Sequence, residues 1–200
     1  MKELELKYYA RSNKGLKSIF DACSKLYDCY SIVDRKIYNK LESYYDDEEY
    51  ILHKQGVYAR LDKKTNKFLI KHGSHESGLF NREEIVLCNY QDFSEFVDCL
   101  GVNLTQLRPQ FYVMTARVAR TIDTGVGLVE ICTDAFNYAG IGRYTINTSA
   151  NYELEFELKS GDEKALDIIR EMMLEYVGDD LRPSEISKAE RGFQLISKEG

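Results

Sequence analysis

The sequence predicts an α+β fold that is mainly antiparallel β, with enough strands to close a barrel. Three observations carry this. β-Rich or alternating runs fall at about 2–9, 35–45, 56–64, 67–73, 82–88, 108–122, 126–134, 139–147 and 151–159, separated by Gly, Asn and Asp clusters. Charged residues recur at strand period with apolar residues in the alternate positions. Helical apolar spacing is confined to a few short stretches. Eight or nine strands suffice for closure.

The helices follow from caps and periodicity. Leu16, Ile19, Phe20, Cys23 and Leu26 recur after Ser12, and Phe93, Phe96, Val97 and Leu100 after Asp92. A third helix follows Gly161, where Asp162 and Glu163 form an acidic first turn before Ala165, Leu166, Ile168, Ile169, Met172, Met173 and Tyr176. A short fourth is expected at about 184–194. Their Met and aromatic stripes are expected to be core packing.

Composition bounds the rest. Two hundred residues, 44% hydrophobic and 30% charged, can bury a core of their own, and one domain over 1–200 is expected. Apolar runs are short, and Met1-Lys2-Glu3-Leu4-Glu5 is not the start of a leader, so the expectation is a cytoplasmic chain with no membrane partner. A net charge of −6 argues against sequence-independent nucleic-acid binding, which needs a basic face. Five cysteines without a CxxC pair fit free thiols in a reducing compartment.

Chemistry is carried by charge at strand period. Glu3, Glu5 and Lys7 alternate with Leu4 and Leu6; Glu153, Glu155, Glu157 and Lys159 alternate with Leu154, Phe156 and Leu158. On a helix, positions i and i+2 diverge, whereas on a strand each set shares one face. Alternation alone leaves open which face is interior. Further strands supply cations: Arg60, Lys71, Arg82 with Glu84, and Arg117, while Glu130 and Asp134 share a strand face. Facing carboxylates raise one another's pKa and need Lys, Arg or metal as counter-ions. Oxygen-only ligands suit Mg²⁺ or Mn²⁺, which joins carboxylates to substrate phosphates, and cations take the remaining phosphate oxygens.

These residues also resemble a known family. Glu3-Leu4-Glu5-Leu6-Lys7 resembles the ExExK signature of the CYTH superfamily, the triphosphate tunnel metalloenzymes, and the likeness continues in order across almost the whole chain. Tyr44-Tyr45-Asp46 resembles its YYD segment, Gly56 to Arg60 its GxxxR strand, Lys71 the lysine of its TLK strand, and Arg82-Glu83-Glu84 its RxE strand. Leu107 to Phe111 with Arg117 resembles LRPxF and the arginine that follows. Val129-Glu130-Ile131 with Asp134 resembles VEIxxD. Glu153 to Leu158 with Ser160-Gly161 resembles ELELEL-x-SG, and Ser187 to Gly192 the closing SKxxRG.

The resemblance implies an eight-stranded antiparallel tunnel with helices outside, and metal-dependent attack on a small-molecule triphosphate within it. It implies that Glu3, Glu5, Glu153, Glu155, Glu157 and Asp134 serve the metal, that Lys7, Arg60, Lys71, Arg82, Arg117 and Lys188 bind phosphate, and that Glu5, Lys7 and Glu84 carry catalysis. Inorganic triphosphate is the expected substrate, since LRPxF and ELELEL-x-SG look most like bacterial inorganic triphosphatases. Thiamine triphosphate hydrolysis, cyclisation of ATP and a non-catalytic triphosphate-binding module are the alternatives.

Two departures bear on substrate preference. Asp62 stands where a second strand cation is often found, and Ala119 where a second arginine is expected, with Arg120 next. His53, His72 and His75 read as surface residues, with His72 and His75 in a turn around Gly73, and Asp46-Asp47-Glu48-Glu49 as a solvated turn.

Overall fold

A computed structural model describes residues 2–141 and 150–197. Eight strands form a closed antiparallel barrel: β1 (Lys2–Ala10), β2 (Ser31–Asp46), β3 (Val57–Asp62), β4 (Lys67–Glu76), β5 (Leu79–Leu87), β6 (Arg108–Asp123), β7 (Gly127–Gly140) and β8 (Asn151–Gly161). Their order is β5-β4-β3-β2-β6-β7-β8-β1, and the pairing of Glu3 with Arg82 and Glu5 with Phe80 closes β1 onto β5. A three-residue β9 (Leu181–Pro183) adds to the side of β1, opposite Tyr8 to Ala10. The fold is α+β and mainly β.

Five helices pack outside: α1 (Asn13–Cys29), α2 (Ile51–Lys54), α3 (Tyr90–Cys99), α4 (Lys164–Met173) and α5 (Lys188–Ser197). Their placement decides which face of each strand is interior. Ile19 and Leu26 of α1, with Leu166, Ile169 and Met173 of α4, cover Leu6, Tyr8, Ile131, Leu154 and Phe156 of β1, β7 and β8. Phe93 and Val97 of α3 cover Ala59, Leu61, Phe68 and Ile70 of β3 and β4. Burying each of these large side chains contributes about 1.5–3 kcal/mol. The apolar alternate positions therefore face outward to helices, and the charged ones are turned into the barrel.

Several boundaries moved. Ser12 caps α1 by accepting from the amides of Lys14 and Gly15, as its type predicts. The α3 cap is Asn89, with Asp92 in the first turn. Phe20 is 59% exposed and outside the core. β7 runs unbroken through 127–140, so the strand expected at 139–147 merges with it, and its part from 142 on lies outside the described residues. β4 continues through His72 and His75 to Glu76 instead of turning at Gly73. The last helix begins at Lys188, not 184, and α2 and β9 were not anticipated.

The first half of the acidic run, Asp46 and Asp47, is a buried cap, whereas Glu48 and Glu49 are exposed as a solvated turn would have them. Asp46 accepts from the amides of Asp47, Leu52 and His53, and Asp47 from those of Glu49 and Ile51, so both carboxylates satisfy the start of α2. His53 is likewise not a surface residue, because its ring stacks 4.5 Å from Phe193.

At one end of the barrel, inward-facing Phe111, Val113, Phe136 and Tyr138 meet Ala189, Phe193 and Ile196 of α5. Gly192 is required there, since a Cβ would lie 2.3 Å from the Phe111 ring. Among the described residues, no helix is long and apolar enough to cross a membrane.

Candidate active site

The barrel interior encloses a cavity of about 270 Å³ lined by eight carboxylates and eight cations, so the lining is formally neutral. Ring order sets these groups against one another. β2 lies four strands from β1 by either route, as do β3 from β8 and β4 from β7. Glu3, Glu5, Glu155, Glu157 and Asp134 on β1, β8 and β7 therefore face Lys40, Arg60 and Lys71 on β2, β3 and β4.

The cavity opens at one end. Along β8 the side-chain exposure rises from 0% at Glu153 through 6% at Glu155 and 24% at Glu157 to 40% at Lys159. The covered end is the one under α5. Tyr38, Lys40, Glu157 and Lys159 line the open end.

Deep in the cavity, Lys188 Nζ lies 2.5 Å from Glu155 Oε1, 2.8 Å from Asp134 Oδ2 and 2.7 Å from Glu153 Oε2. Arg117 donates from Nε to Asp134 Oδ1 at 2.6 Å and from Nη2 to Glu155 Oε2 at 2.5 Å. Lys7 donates to Glu155 at 2.9 Å. Nearer the mouth, Lys71 lies 2.6 Å from Glu3 and 3.1 Å from Glu84, and Arg60 3.0 Å from Glu42 and 3.8 Å from Glu84. Lys159 lies 2.8 Å from Glu157 and 3.6 Å from Glu130.

Burial and charge pull the ionisations in opposite directions. Burial pushes the Glu155 carboxyl up, but Arg117, Lys188 and Lys7 outweigh it and hold it well below the usual range. Asp134 is lowered against burial by Lys188 and Arg117. Glu153 stays raised, because burial there exceeds what Lys188 returns. Burial raises Glu157, and the like charges of Glu3 and Glu5 add to it. Lys40 is lowered to about 8 by burial and by the neighbouring Arg117 and Arg60 cations.

The structure brings nearly all of the sequence-predicted residues into this cavity. Glu3, Glu5, Lys7, Arg60, Lys71, Arg82, Glu84, Arg117, Asp134, Glu155, Glu157 and Lys188 line it. Glu153 is fully buried beneath them, held by Lys188 and 3.6 Å from Arg191. Asp62 does not point inward to oppose phosphate: its Oδ1 accepts from the amides of Lys64 and Thr65 and fixes the β3–β4 turn. Arg120 leaves the cavity, stacking 4.5 Å over Tyr27. Missed were Tyr38, Lys40 and Glu42, although Tyr38-x-Lys40-x-Glu42-x-Tyr44 has the strand period that marked the other walls.

No protein-family model and no curated protein matches the sequence. Solved structures do. A candidate adenylyl cyclase from Hippeastrum in which triphosphatase activity is dominant superposes with a TM-score of 0.63 at 16% identity, covering 96% of this chain and 95% of that one. The chain shares the fold of that protein. A candidate adenylate cyclase from Bacillus halodurans superposes with a TM-score of 0.58 at 20% identity, over 95% of this chain and 97% of that one. The Mimivirus capping enzyme triphosphatase gives 0.52 at 12% identity, over 86% and 88%.

Proposed function

We propose that this tunnel is the active site of a metal-dependent triphosphatase whose substrate is inorganic triphosphate, cleaved to pyrophosphate and phosphate. The observation that carries the reading is the opposition of a carboxylate wall on β1, β8 and β7 to a cation wall on β2, β3 and β4 within a formally neutral cavity. Neutrality matters, because a triphosphate alone would fill the tunnel with uncompensated charge. With divalent metal the same charges would be balanced by exchange, the carboxylates taking metal in place of lysine and the lysines taking phosphate in place of carboxylate. The solved tunnels include triphosphatases and candidate cyclases, which supports an enzyme acting on phosphoric anhydrides.

The donor set fits Mg²⁺ or Mn²⁺. Its ligands are oxygen only, Glu5 Oε1 is buried with no hydrogen bond although Lys7 Nζ lies 3.0 Å away, and Glu3, Glu5 and Glu157 crowd one another electrostatically. Among the described residues no three acidic, His or Cys groups already converge at ligand spacing. Glu3, Glu5 and Glu157 would hold the metal, with Glu153, Glu155 and Asp134 behind them. Bound there, it would polarise phosphoryl oxygens and the attacking water.

The chain's own residues do the rest. Glu5 orients a water and accepts its proton as the water oxygen attacks the terminal phosphorus; the bond to the bridging oxygen breaks, and pyrophosphate leaves with the electron pair. Lys7, Lys71, Arg117 and Lys188 neutralise the charge that develops on the phosphoryl oxygens. Glu84, between Lys71 and Arg60, positions both cations.

The test is phosphate release from inorganic triphosphate, ATP and thiamine triphosphate in Mg²⁺ or Mn²⁺, with Glu5→Gln and Lys71→Ala as controls. Release from inorganic triphosphate that both variants abolish is expected. Cyclic AMP from ATP would move the assignment to cyclases, and binding without turnover to a triphosphate-binding module.

A further inference from the structure

Lys40 differs from its neighbours on the cation wall. Arg60 is engaged by Glu42 and Glu84, and Lys71 by Glu3 and Glu84. Lys40 has no carboxylate within 4.0 Å among the described residues, and its one close partner is the Tyr38 ring, 5.5 Å away. It is half-buried and faces the interior beyond Glu42, whose partner Asp62 is the last residue of β3. That places it at the open end, where a linear anion must pass. The charged groups around it are Glu42 on its own strand, Arg60 on β3, Arg117 on β6 and Glu155 on β8. Thr115 pairs with it across β2 and β6.

A partly desolvated cation among other cations lowers stability unless an anion compensates it. Among the described residues no carboxylate lies within ion-pair distance of it, whereas Arg60 and Lys71 on the same wall each have one. We infer that Lys40 is a substrate-binding residue of the tunnel mouth, taking the outermost phosphate of a linear triphosphate that enters end-on. This rests on the triphosphatase reading and deepens it, since it makes the site count phosphates. On this assignment a diphosphate is held by the deep cations alone, whereas a triphosphate also engages Lys40.

The probes are imidotriphosphate and imidodiphosphate, which resist hydrolysis, titrated calorimetrically in Mn²⁺ against the full chain and three variants. Lys40→Met should weaken imidotriphosphate by about tenfold or more, the loss of one charge-assisted contact, and imidodiphosphate by less than about threefold. Lys40→Arg should hold both affinities near those of the unmodified chain. Lys36→Met removes an exposed lysine from the same strand, outside the cavity, and should change neither. Equal losses for both ligands in Lys40→Met, no loss at all, or a matching loss in Lys36→Met would overturn the assignment while leaving the triphosphate site in place. An unmodified chain that binds neither probe would remove the triphosphate reading and the role of Lys40 with it.

Discussion

Lys188, the first residue of α5, sets its ammonium 2.5 Å from Glu155 in the middle of β8. The same nitrogen serves Asp134 and Glu153, so one lysine from an outer helix holds three carboxylates of the tunnel floor. Replacing it leaves Glu153, among the described residues, with no side-chain cation nearer than Arg191 at 3.6 Å, and leaves Asp134 and Glu155 dependent on Arg117 and Lys7. Lys188→Met should cost about 3–5 kcal/mol, read as a lowered urea midpoint, because an unpaired buried charge is the expensive case. Adding Glu153→Gln should recover part of the loss. A single variant as stable as the parent would show that the floor carboxylates do not need this cation.

Lys40 gives the tunnel a pH dependence of opposite sign for stability and for binding. Its pKa in the folded chain, lowered to about 8 by burial, Arg117 and Arg60, lies below the ordinary lysine value of 10.5. Between those values the unfolded chain holds the proton more tightly, so stability should rise with pH in that window. Affinity for an anion should fall there, because the folded lysine is losing its charge. KM for inorganic triphosphate should therefore climb above about pH 8 in the parent. In Lys40→Arg, which keeps its charge, KM should stay level, and Lys40→Met should sit high throughout. A parent profile that matches the arginine variant would contradict this.

Much of this architecture was legible because most walls obey one rule, charge on one strand face and aliphatic residues on the other. Leu4 and Leu6 beside Glu3 and Glu5, or Leu154 and Phe156 beside Glu153 and Glu155, mark two surfaces of unlike solvent, but not which surface is inside. That needed α1, α3 and α4, whose apolar faces claim the aliphatic side. The inward row of β2 escaped because its outward positions break the pattern: Asn39 and Ser43 alternate with Ile37 and Leu41, which are 67% and 42% exposed, and the tyrosines at 38 and 44 disguise Lys40 and Glu42. The acidic run at 46–49 misled for another reason. Composition reports that carboxylates prefer water, yet Asp46 and Asp47 find amide donors at a helix start, which only the fold supplies.

The neutral lining predicts that metal and triphosphate stabilise the chain together. Either one alone meets carboxylates and cations that already neutralise each other, and must break ion pairs without replacing them. Thermal unfolding with Mn²⁺, with inorganic imidotriphosphate, and with both should show a large upward shift only for the pair. At a ligand concentration of 100 times Kd the shift corresponds to about 2.7 kcal/mol. EDTA should abolish it, and Glu5→Gln, which removes a buried carboxylate without a hydrogen bond at Oε1, should reduce it. A full shift with imidotriphosphate in EDTA would mean that the cations alone bind the ligand.

Asp62 occupies a position where a basic residue would be expected to extend the cation wall, and its substitution tests whether that wall is complete. Its carboxylate accepts from Lys64 N at 2.8 Å and Thr65 N at 3.2 Å, closing the turn that joins β3 to β4 and so fixing the two strands that carry Arg60 and Lys71. Asp62→Arg should lose that turn and cost about 0.5–2 kcal/mol, the range for losing a side-chain cap on backbone amides. Asp62→Asn, which can still accept, should cost less. The arginine variant should not bind triphosphate more tightly, because Lys40 on the adjoining strand already supplies the cation at this end of the tunnel. If Asp62→Arg instead tightened binding, the aspartate would be acting on substrate through repulsion and not only through the turn.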